Sequence, residues 1–245
     1  MVLPAGAQPP LPTNTSSLNG SDADALERWK VTELMNGFPA HRDATEWSKM
    51  RALFAEEDAY VFTTWSAGVP IDQFIQMSEA GFAKGVKIAH RVNGSTVDIA
   101  TSGPAAGKRA LGKLKATITQ RFTVPLLGGK EGETCEVDVD ADCRLCFFVE
   151  KKENGWKNHF FKGFYEKDKL SPVDPRKLPV IDDAKLATFP EGYRYLGYFQ
   201  NQAAGYPIKT DLPQSRGVDH DHFYETFIKW LDGASIEDMK VELGA

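Results

Sequence analysis

Apolar residues recur at helical spacing in the first third of the chain and alternate with polar residues in its middle. Helical spacing covers residues 22–36, 44–54 and, after Pro70, 71–82, so we predict three helices there. Between the second and third helices, residues 58–65 are rich in β-branched and aromatic side chains and predict a strand.

The first helix carries an apolar stripe formed by Leu26, Trp29 and Leu34. A glycine just after the last periodic residue, followed by a proline, is a common end of a helix. We therefore predict that this helix ends at Asn36-Gly37, ahead of Pro39.

The middle of the chain predicts strands over 86–92, 95–100, 111–124, 135–150 and 156–168. Asn93-Gly94 and Asn154-Gly155 separate neighbouring strands, and Asn-Gly is a strong signal for a hairpin turn. We therefore predict two hairpins. Three helices followed by an antiparallel meander indicate an α+β fold, with the helices packed on one side of a bent sheet.

The last quarter of the chain returns to helical spacing after a linker marked by Pro172, Pro175 and Pro179. Helices are predicted over 191–203 and 221–232. An apolar helix stripe must be buried somewhere, so we expect this region to pack on the core or on a partner subunit of a homo-oligomer, a dimer or trimer. The predicted organisation is a disordered leader at 1–20, a core domain at 21–172 and a helical extension at 173–245.

Composition narrows the classes of protein to which the chain can belong. With 245 residues, of which 42% are hydrophobic, it can bury one core. Its net charge of -5 argues against binding to nucleic acid. A basic segment followed by an apolar run is absent, as is an apolar stretch of about 18 residues, so we expect a cytoplasmic protein with no membrane contact.

Two motifs resemble parts of metal sites. Cys143 and Cys146 have the spacing of half a zinc site, but no second Cys/His pair follows, and an offset of three on a strand puts them on opposite faces. We predict buried free thiols. The run 219–222 alternates acids with histidines, yet residues two apart do not share a helix face. No metal is expected, and without a phosphate-binding loop or other cofactor motif we expect chemistry that needs no cofactor.

Asp43 and His90 are the candidate catalytic pair. Asp43 precedes the short helix at 44–54, and His90 lies on the strand before Asn93-Gly94. A carboxylate that is hydrogen-bonded to an imidazole fixes its tautomer and makes the histidine a usable base near neutral pH. Asp43 and Glu46 also fit a capping box, in which Asp43 would accept the backbone N–H of Glu46. The two roles are compatible.

Asp43, Trp47 and Phe54 have the order and spacing of the SnoaL-like families of the nuclear-transport-factor-2-like superfamily, and His90 matches the position of that superfamily's active-site histidine. The resemblance covers roughly residues 27–170. It implies a cone-shaped fold with three N-terminal helices against a curved antiparallel sheet. Scytalone dehydratase and dehydrochlorinase-type enzymes belong to this group, so the resemblance also implies a cavity for a small molecule.

The positions that bind substrate in the dehydratase are only partly matched. Thr119 stands in place of a second histidine, Phe62 in place of a tyrosine that polarises the substrate carbonyl, and Cys146 in place of a ligand-binding asparagine. Arg121 shares a strand face with Thr119 and could hold a carboxylate or enolate, with a surface ion pair as the alternative. Phe148 completes the set of candidate substrate-binding residues.

These observations predict a cofactor-independent lyase or isomerase acting on a small aromatic, polyketide-like or terpenoid-like metabolite. His90 would remove a proton α to a carbonyl, Asp43 would orient it, and loss of water or a double-bond shift would follow. The alternative is a non-catalytic module of the same fold that binds a small molecule or a protein. The substitutions at Thr119, Phe62 and Cys146 favour that alternative.

Overall fold

The computed structural model describes residues 7–245. Its strands are β1 (Thr15–Ser16), β2 (Tyr60–Thr63), β3 (Ala67–Pro70), β4 (Lys87–Ala100), β5 (Arg109–Pro125), β6 (Thr134–Lys152) and β7 (Gly155–Pro172). Its helices are α1 (Asp22–Asp43), α2 (Trp47–Ala52), α3 (Ile71–Ala83), α4 (Asp183–Leu186), α5 (Arg194–Ala204), α6 (Val218–Asp232) and α7 (Ile236–Leu243). None of these helices has the length and apolar character needed to cross a membrane.

One curved, unclosed sheet lies at the centre of the α+β fold. Its strand order is β1-β4-β5-β6-β7-β2-β3, and within residues 7–245 the neighbouring strands are antiparallel except for β2 and β7. The hairpin predicted at Asn154-Gly155 joins β6 to β7, where Lys152 pairs with Gly155. The predicted fold class, helices against a curved antiparallel sheet, is confirmed.

The hairpin predicted at Asn93-Gly94 is wrong. β4 runs without a turn from Lys87 to Ala100 and pairs along its length with β5. The register shifts between Val92 and Gly94, so the dipeptide lies at a β-bulge. A bulge and a tight turn both use the freedom of glycine at positive φ, and Gly94 has a φ of 148°.

α1 passes through Pro39 and ends at Asp43, beyond its predicted end. A proline inside a helix removes one backbone hydrogen bond, but the apolar stripe that precedes it, up to Phe38, holds the helix against the sheet, and the buried face continues to Arg42. The predicted stripe is also corrected, because Leu26 and Trp29 are 54% and 60% exposed. The buried positions of α1 are Val31, Leu34, Met35, Phe38, Pro39 and Arg42.

Different helices cover the two faces of the sheet. α1, α3 and α5 pack on the face that we call the inner face, where Leu196 and Phe199 of α5 join the main core. α6 and α7 pack on the opposite, outer face, where Trp230 and Met239 are buried among strand residues. The helical extension therefore contacts the core domain of the same chain on both sides.

Part of the predicted disordered leader is ordered. Thr15 and Ser16 pair with Ala100 and Ile99 at the edge of the sheet. Residues 1–6 of that leader lie outside the described residues.

Candidate active site

The end of α1 meets β4 at a carboxylate–imidazole pair. Asp43, the last residue of α1, accepts two hydrogen bonds from His90. Its Oδ1 lies 2.7 Å from the ring Nδ1, and its Oδ2 lies 2.7 Å from the backbone N. The His90 side chain is 5% exposed. Two bonds from one carboxylate fix both the position of β4 and the orientation of the ring.

The capping-box interpretation of Asp43 is wrong. α2 begins at Trp47, and its N-cap position is Glu46, whose side chain makes no capping bond. The Asp43 carboxylate belongs to the end of the preceding helix and is used by His90.

Burial keeps His90 in its neutral form. Burial lowers the pKa of His90 below the ordinary 6.5 and outweighs the hydrogen bond that His90 donates to Asp43, which raises the pKa, while the charge of Arg42 lowers it further. A neutral imidazole donates from Nδ1 to Asp43 and leaves the Nε2 lone pair free to accept a proton. The pair therefore has the arrangement of a general base with its orienting carboxylate.

His90 lines a small cavity on the inner face, with a volume of about 30 Å³. A second cavity of about 20 Å³ adjoins it. The walls of both cavities include Arg42, Trp65, Ile88 and Gln200. Each has room for roughly one or two water molecules, well short of the roughly 300–1,000 Å³ of a ligand pocket. A larger ligand would bind only after the walls rearrange.

The helical extension supplies part of the cavity wall. Gln200 of α5 accepts a hydrogen bond of 2.6 Å from Thr64 Oγ1 and donates one of 3.0 Å to Gln120 Oε1. All three side chains are buried. This polar chain ties α5 to the sheet above the cavities, so opening the site would break bonds to the extension.

Thr119 and Arg121 lie on the outer face and not beside His90. Residues that pair directly across antiparallel strands share a face, and His90 pairs with Ile118, whereas Thr119 pairs with Ala89. Thr119 donates to Asp140, and Arg121 makes two hydrogen bonds of 2.8 Å to Asp138. Their predicted place in the pocket is corrected, and Arg121 makes the surface ion pair.

Phe62, Cys146 and Phe148 are also on the outer face, where all three are fully buried beneath α6 and α7. Phe148 has ring contacts with Phe160 and with Trp230 of α6. Burial raises the pKa of the Cys146 thiol to about 12. These three residues therefore do not line the His90 cavity. The buried free thiols predicted at Cys143 and Cys146 are confirmed.

Residues 23–162 match the model of the SnoaL-like domain. The chain belongs to this family. It is 43% identical over 242 residues to pea pathogenicity protein 2 of Fusarium vanettenii, across 96% of this chain and 97% of that protein. It is 42% identical over 247 residues to an uncharacterised protein of Emericella nidulans, across 96% and 97% of the two chains. Both alignments include the helical extension as well as the SnoaL-like domain.

A solved structure in the same comparison is a hexachlorocyclohexane dehydrochlorinase from Novosphingobium barchaimii. It is 12% identical, with a TM-score of 0.45, and the match covers 66% of this chain and 99% of that one.

Arg42 is the inner-face residue that the sequence-based hypothesis lacks. It lies four residues after Phe38 on the buried stripe of this SnoaL-like chain and is 5% exposed. A charged residue at the next position of an apolar helix stripe indicates a buried charge and can be recognised in a sequence. The helix predicted here ends at Asn36-Gly37 and does not extend to Arg42. Within residues 7–245, no group of three or more His, Cys, Asp or Glu residues is placed to hold a metal ion.

Proposed function

We propose that this SnoaL-like protein is a cofactor-independent lyase or isomerase for a small molecule, with His90 as the base. The observation that carries the proposal is the Asp43–His90 pair, in which one carboxylate binds both the ring and the backbone of the histidine at the wall of an inner cavity.

The chemistry follows from the tautomer. His90 Nε2 takes a proton from a carbon α to a carbonyl, and the C–H electrons form an enolate. For a β-hydroxy carbonyl substrate, the enolate electrons form the C=C bond as the C–O bond breaks. The departing hydroxide takes the proton back from the imidazolium, so that water leaves and neutral His90 is restored. Asp43 stabilises the imidazolium between the two proton transfers.

The experiment uses a panel of aromatic β-hydroxy ketones in deuterium oxide. Dehydration is followed by the ultraviolet absorbance of the enone, and proton abstraction without dehydration is followed by deuterium uptake in NMR spectra. We expect His90→Gln to reduce the rate of dehydration or deuterium uptake by about 10²–10⁴-fold, and Asp43→Asn to reduce it less. His222→Gln, a change at a side chain that is 52% exposed on α6, is the matched control and should keep the wild-type rate.

The outer-face location of Thr119, Phe62 and Cys146, away from His90, favours a second candidate, a ligand-binding module without catalysis. Ligands of the panel that bind without deuterium uptake or product would support this candidate. A wild-type rate in His90→Gln would remove His90 from the chemistry.

A further inference from the structure

Arg42 is a buried cation that makes no ion pair within residues 7–245, although the charge of the adjacent Asp43 favours its charged form. Its guanidinium carbon lies 5.6 Å from the ring centroid of Phe74 and 5.7 Å from that of Phe82. Its Nε makes no hydrogen bond, and within residues 7–245 the guanidinium forms no ion pair with a carboxylate. The neighbouring Asp43 directs both carboxylate oxygens to His90. An unpaired charge in a protein interior is costly, so this arrangement calls for a counter-ion.

Ser78 provides an independent sign of a ligand in the same place. It lies on α3, is 3% exposed, and its hydroxyl has no hydrogen-bond partner within the described chain. Ser78 and Arg42 both line the second cavity, of about 20 Å³. Two residues that each have an unsatisfied donor atom, on two different helices, therefore line one small cavity. A water molecule would satisfy the hydroxyl, but only an anion would also neutralise the guanidinium.

We propose that Arg42 and Ser78 form a carboxylate-binding subsite beside His90, so that the ligand of this protein is an organic acid. This inference rests on the proposed function, in which the neighbouring cavity lined by His90 holds the reacting part of the ligand. The planar guanidinium matches a carboxylate in geometry, and Ser78 can donate a further hydrogen bond. The volume suits the carboxylate head group and not a whole substrate.

The arrangement of the two cavities orients such an acid. Arg42 lines both of them, and His90 lines the first. A carboxylate held at Arg42 would direct the rest of the molecule through the first cavity toward the Nε2 atom of His90. Burial lowers the pKa of Arg42 to about 10, which still leaves the guanidinium charged at neutral pH. The subsite is therefore cationic under the conditions in which His90 is a neutral base.

Benzoate and benzamide make a matched pair of probes, because they have nearly the same shape and differ in charge. The readouts are the melting temperature of the full chain and the NMR signal of the indole N–H of Trp65, a residue in the wall of both cavities. We expect benzoate to raise the melting temperature and shift the Trp65 signal, and benzamide to do neither. Equal effects of the two probes, or no effect of benzoate, would overturn the proposal and leave water as the occupant.

Arg42→Met should weaken benzoate binding by about ten-fold or more, the usual loss for a hydrogen bond to a charged group. Arg121→Met removes the same charge from the outer face and should bind benzoate as the wild type does. Ser78→Ala, which should weaken binding by a smaller factor, keeps the test valid if Arg42→Met does not fold. Unchanged benzoate binding in both Arg42→Met and Ser78→Ala would overturn the assignment.

Stability without ligand separates a binding role from a structural one. Arg42→Met should raise the melting temperature of the ligand-free protein, because an unpaired buried charge is replaced by an apolar side chain of similar length. Arg109→Met is the buried control and should lower it, because Arg109 donates hydrogen bonds to Trp230 O and Ala234 O. A lower melting temperature in Arg42→Met would show that Arg42 stabilises the fold, contrary to the proposal.

His90→Gln distinguishes this inference from the function on which it rests. Retained benzoate binding with lost turnover supports both proposals. Retained binding with wild-type turnover contradicts the role of His90 as the base and leaves the carboxylate subsite standing.

Discussion

The sheet buries one arginine on each face, and the two differ in what the guanidinium binds. Arg109, on the outer face, lies 4.0 Å from the Trp230 ring and donates to Ala234 O at 2.6 Å and Trp230 O at 3.2 Å. Arg42, on the inner face, also lies over aromatic rings, but its Nε has no hydrogen-bond partner within residues 7–245. Burial lowers the pKa of both. Removing the partner of a buried charge is strongly destabilising, so the fold holds Arg109, whereas the Nε of Arg42 is left without a partner.

The surroundings of the two arginines differ in the same way. The outer cluster around Phe148 is closed by the chain's own α6 and α7, and its rings pack edge against face at centroid distances near 6 Å. The inner face around His90 keeps two cavities and two unsatisfied polar side chains, Arg42 and Ser78. The outer region therefore accounts for stability, and the inner region is the one that can bind and react.

The sharpest way to test this division is to remove a ring from the outer cluster. Phe148→Ala should lower the free energy of unfolding by about 3–5 kcal/mol, the usual cost of deleting a fully buried phenylalanine. Chemical denaturation measures it, with Val92→Ala, a change at an exposed position of β4, as the control. The benzoate-induced rise in melting temperature should persist in folded Phe148→Ala, because Phe148 does not touch the inner cavities.

A loss below about 1 kcal/mol in Phe148→Ala would show that the cluster is loosely packed. Loss of the benzoate response in folded protein would instead show that the two faces are coupled, and the division between them would fail.

The order of helices and strands could be predicted from the sequence. Which strand residues lie on the same side of the sheet as His90 could not. Alternation marks which residues share a face of one strand, so Thr119 and Arg121 were correctly grouped together. Which face lies beside His90 depends on the register of β4 with β5, where a shift of one residue exchanges the faces. The register shift at Asn93-Gly94 makes the pairing harder to predict, because the half of β4 that contains His90 and the half after Gly94 pair with β5 in different registers.

The site residue Arg42 escaped prediction for a different reason. Pro39 is a strong local signal for the end of a helix, and tertiary packing of the stripe around Phe38 overrides it. Asp43 and His90, in contrast, could be named from the sequence because their spacing matches a family pattern. Their hydrogen bonds are a finding of the structure, and their catalytic role stays a prediction.

The stability of the protein should depend on pH through His90 on the inner face. Because burial lowers the pKa of His90 in the folded protein, the unfolded chain takes up a proton near pH 6.5 that the folded chain does not. The contribution of His90 to the free energy of unfolding should therefore be constant above about pH 6.5. Below that pH it should fall by at most about 1.4 kcal/mol per pH unit.

Denaturation of wild type and His90→Gln between pH 8 and pH 5 measures this contribution by difference, so that other titrating groups cancel. The stability of the wild type relative to His90→Gln should fall as the pH falls, because only the wild type loses the His90 contribution. A difference that does not vary with pH would mean that His90 titrates alike in the folded and unfolded chain, and the base would not be held neutral by burial.

The smallest effect is expected where the polar half of the outer face is changed. Thr119 donates to Asp140 at 2.5 Å, and Arg121 pairs with Asp138 at 2.8 Å, on the side of β5 that faces away from His90. Thr119→Val and Arg121→Gln should therefore keep turnover and benzoate binding within about two-fold of the wild type, as surface substitutions usually do. Steady-state kinetics and benzoate titration of the two variants check this, beside Ser78→Ala as the inner-face counterpart. A ten-fold loss of turnover or of benzoate affinity in either outer-face variant would mean that the outer face of β5 affects the inner-face site through the sheet. Neither side chain can reach the inner cavities directly.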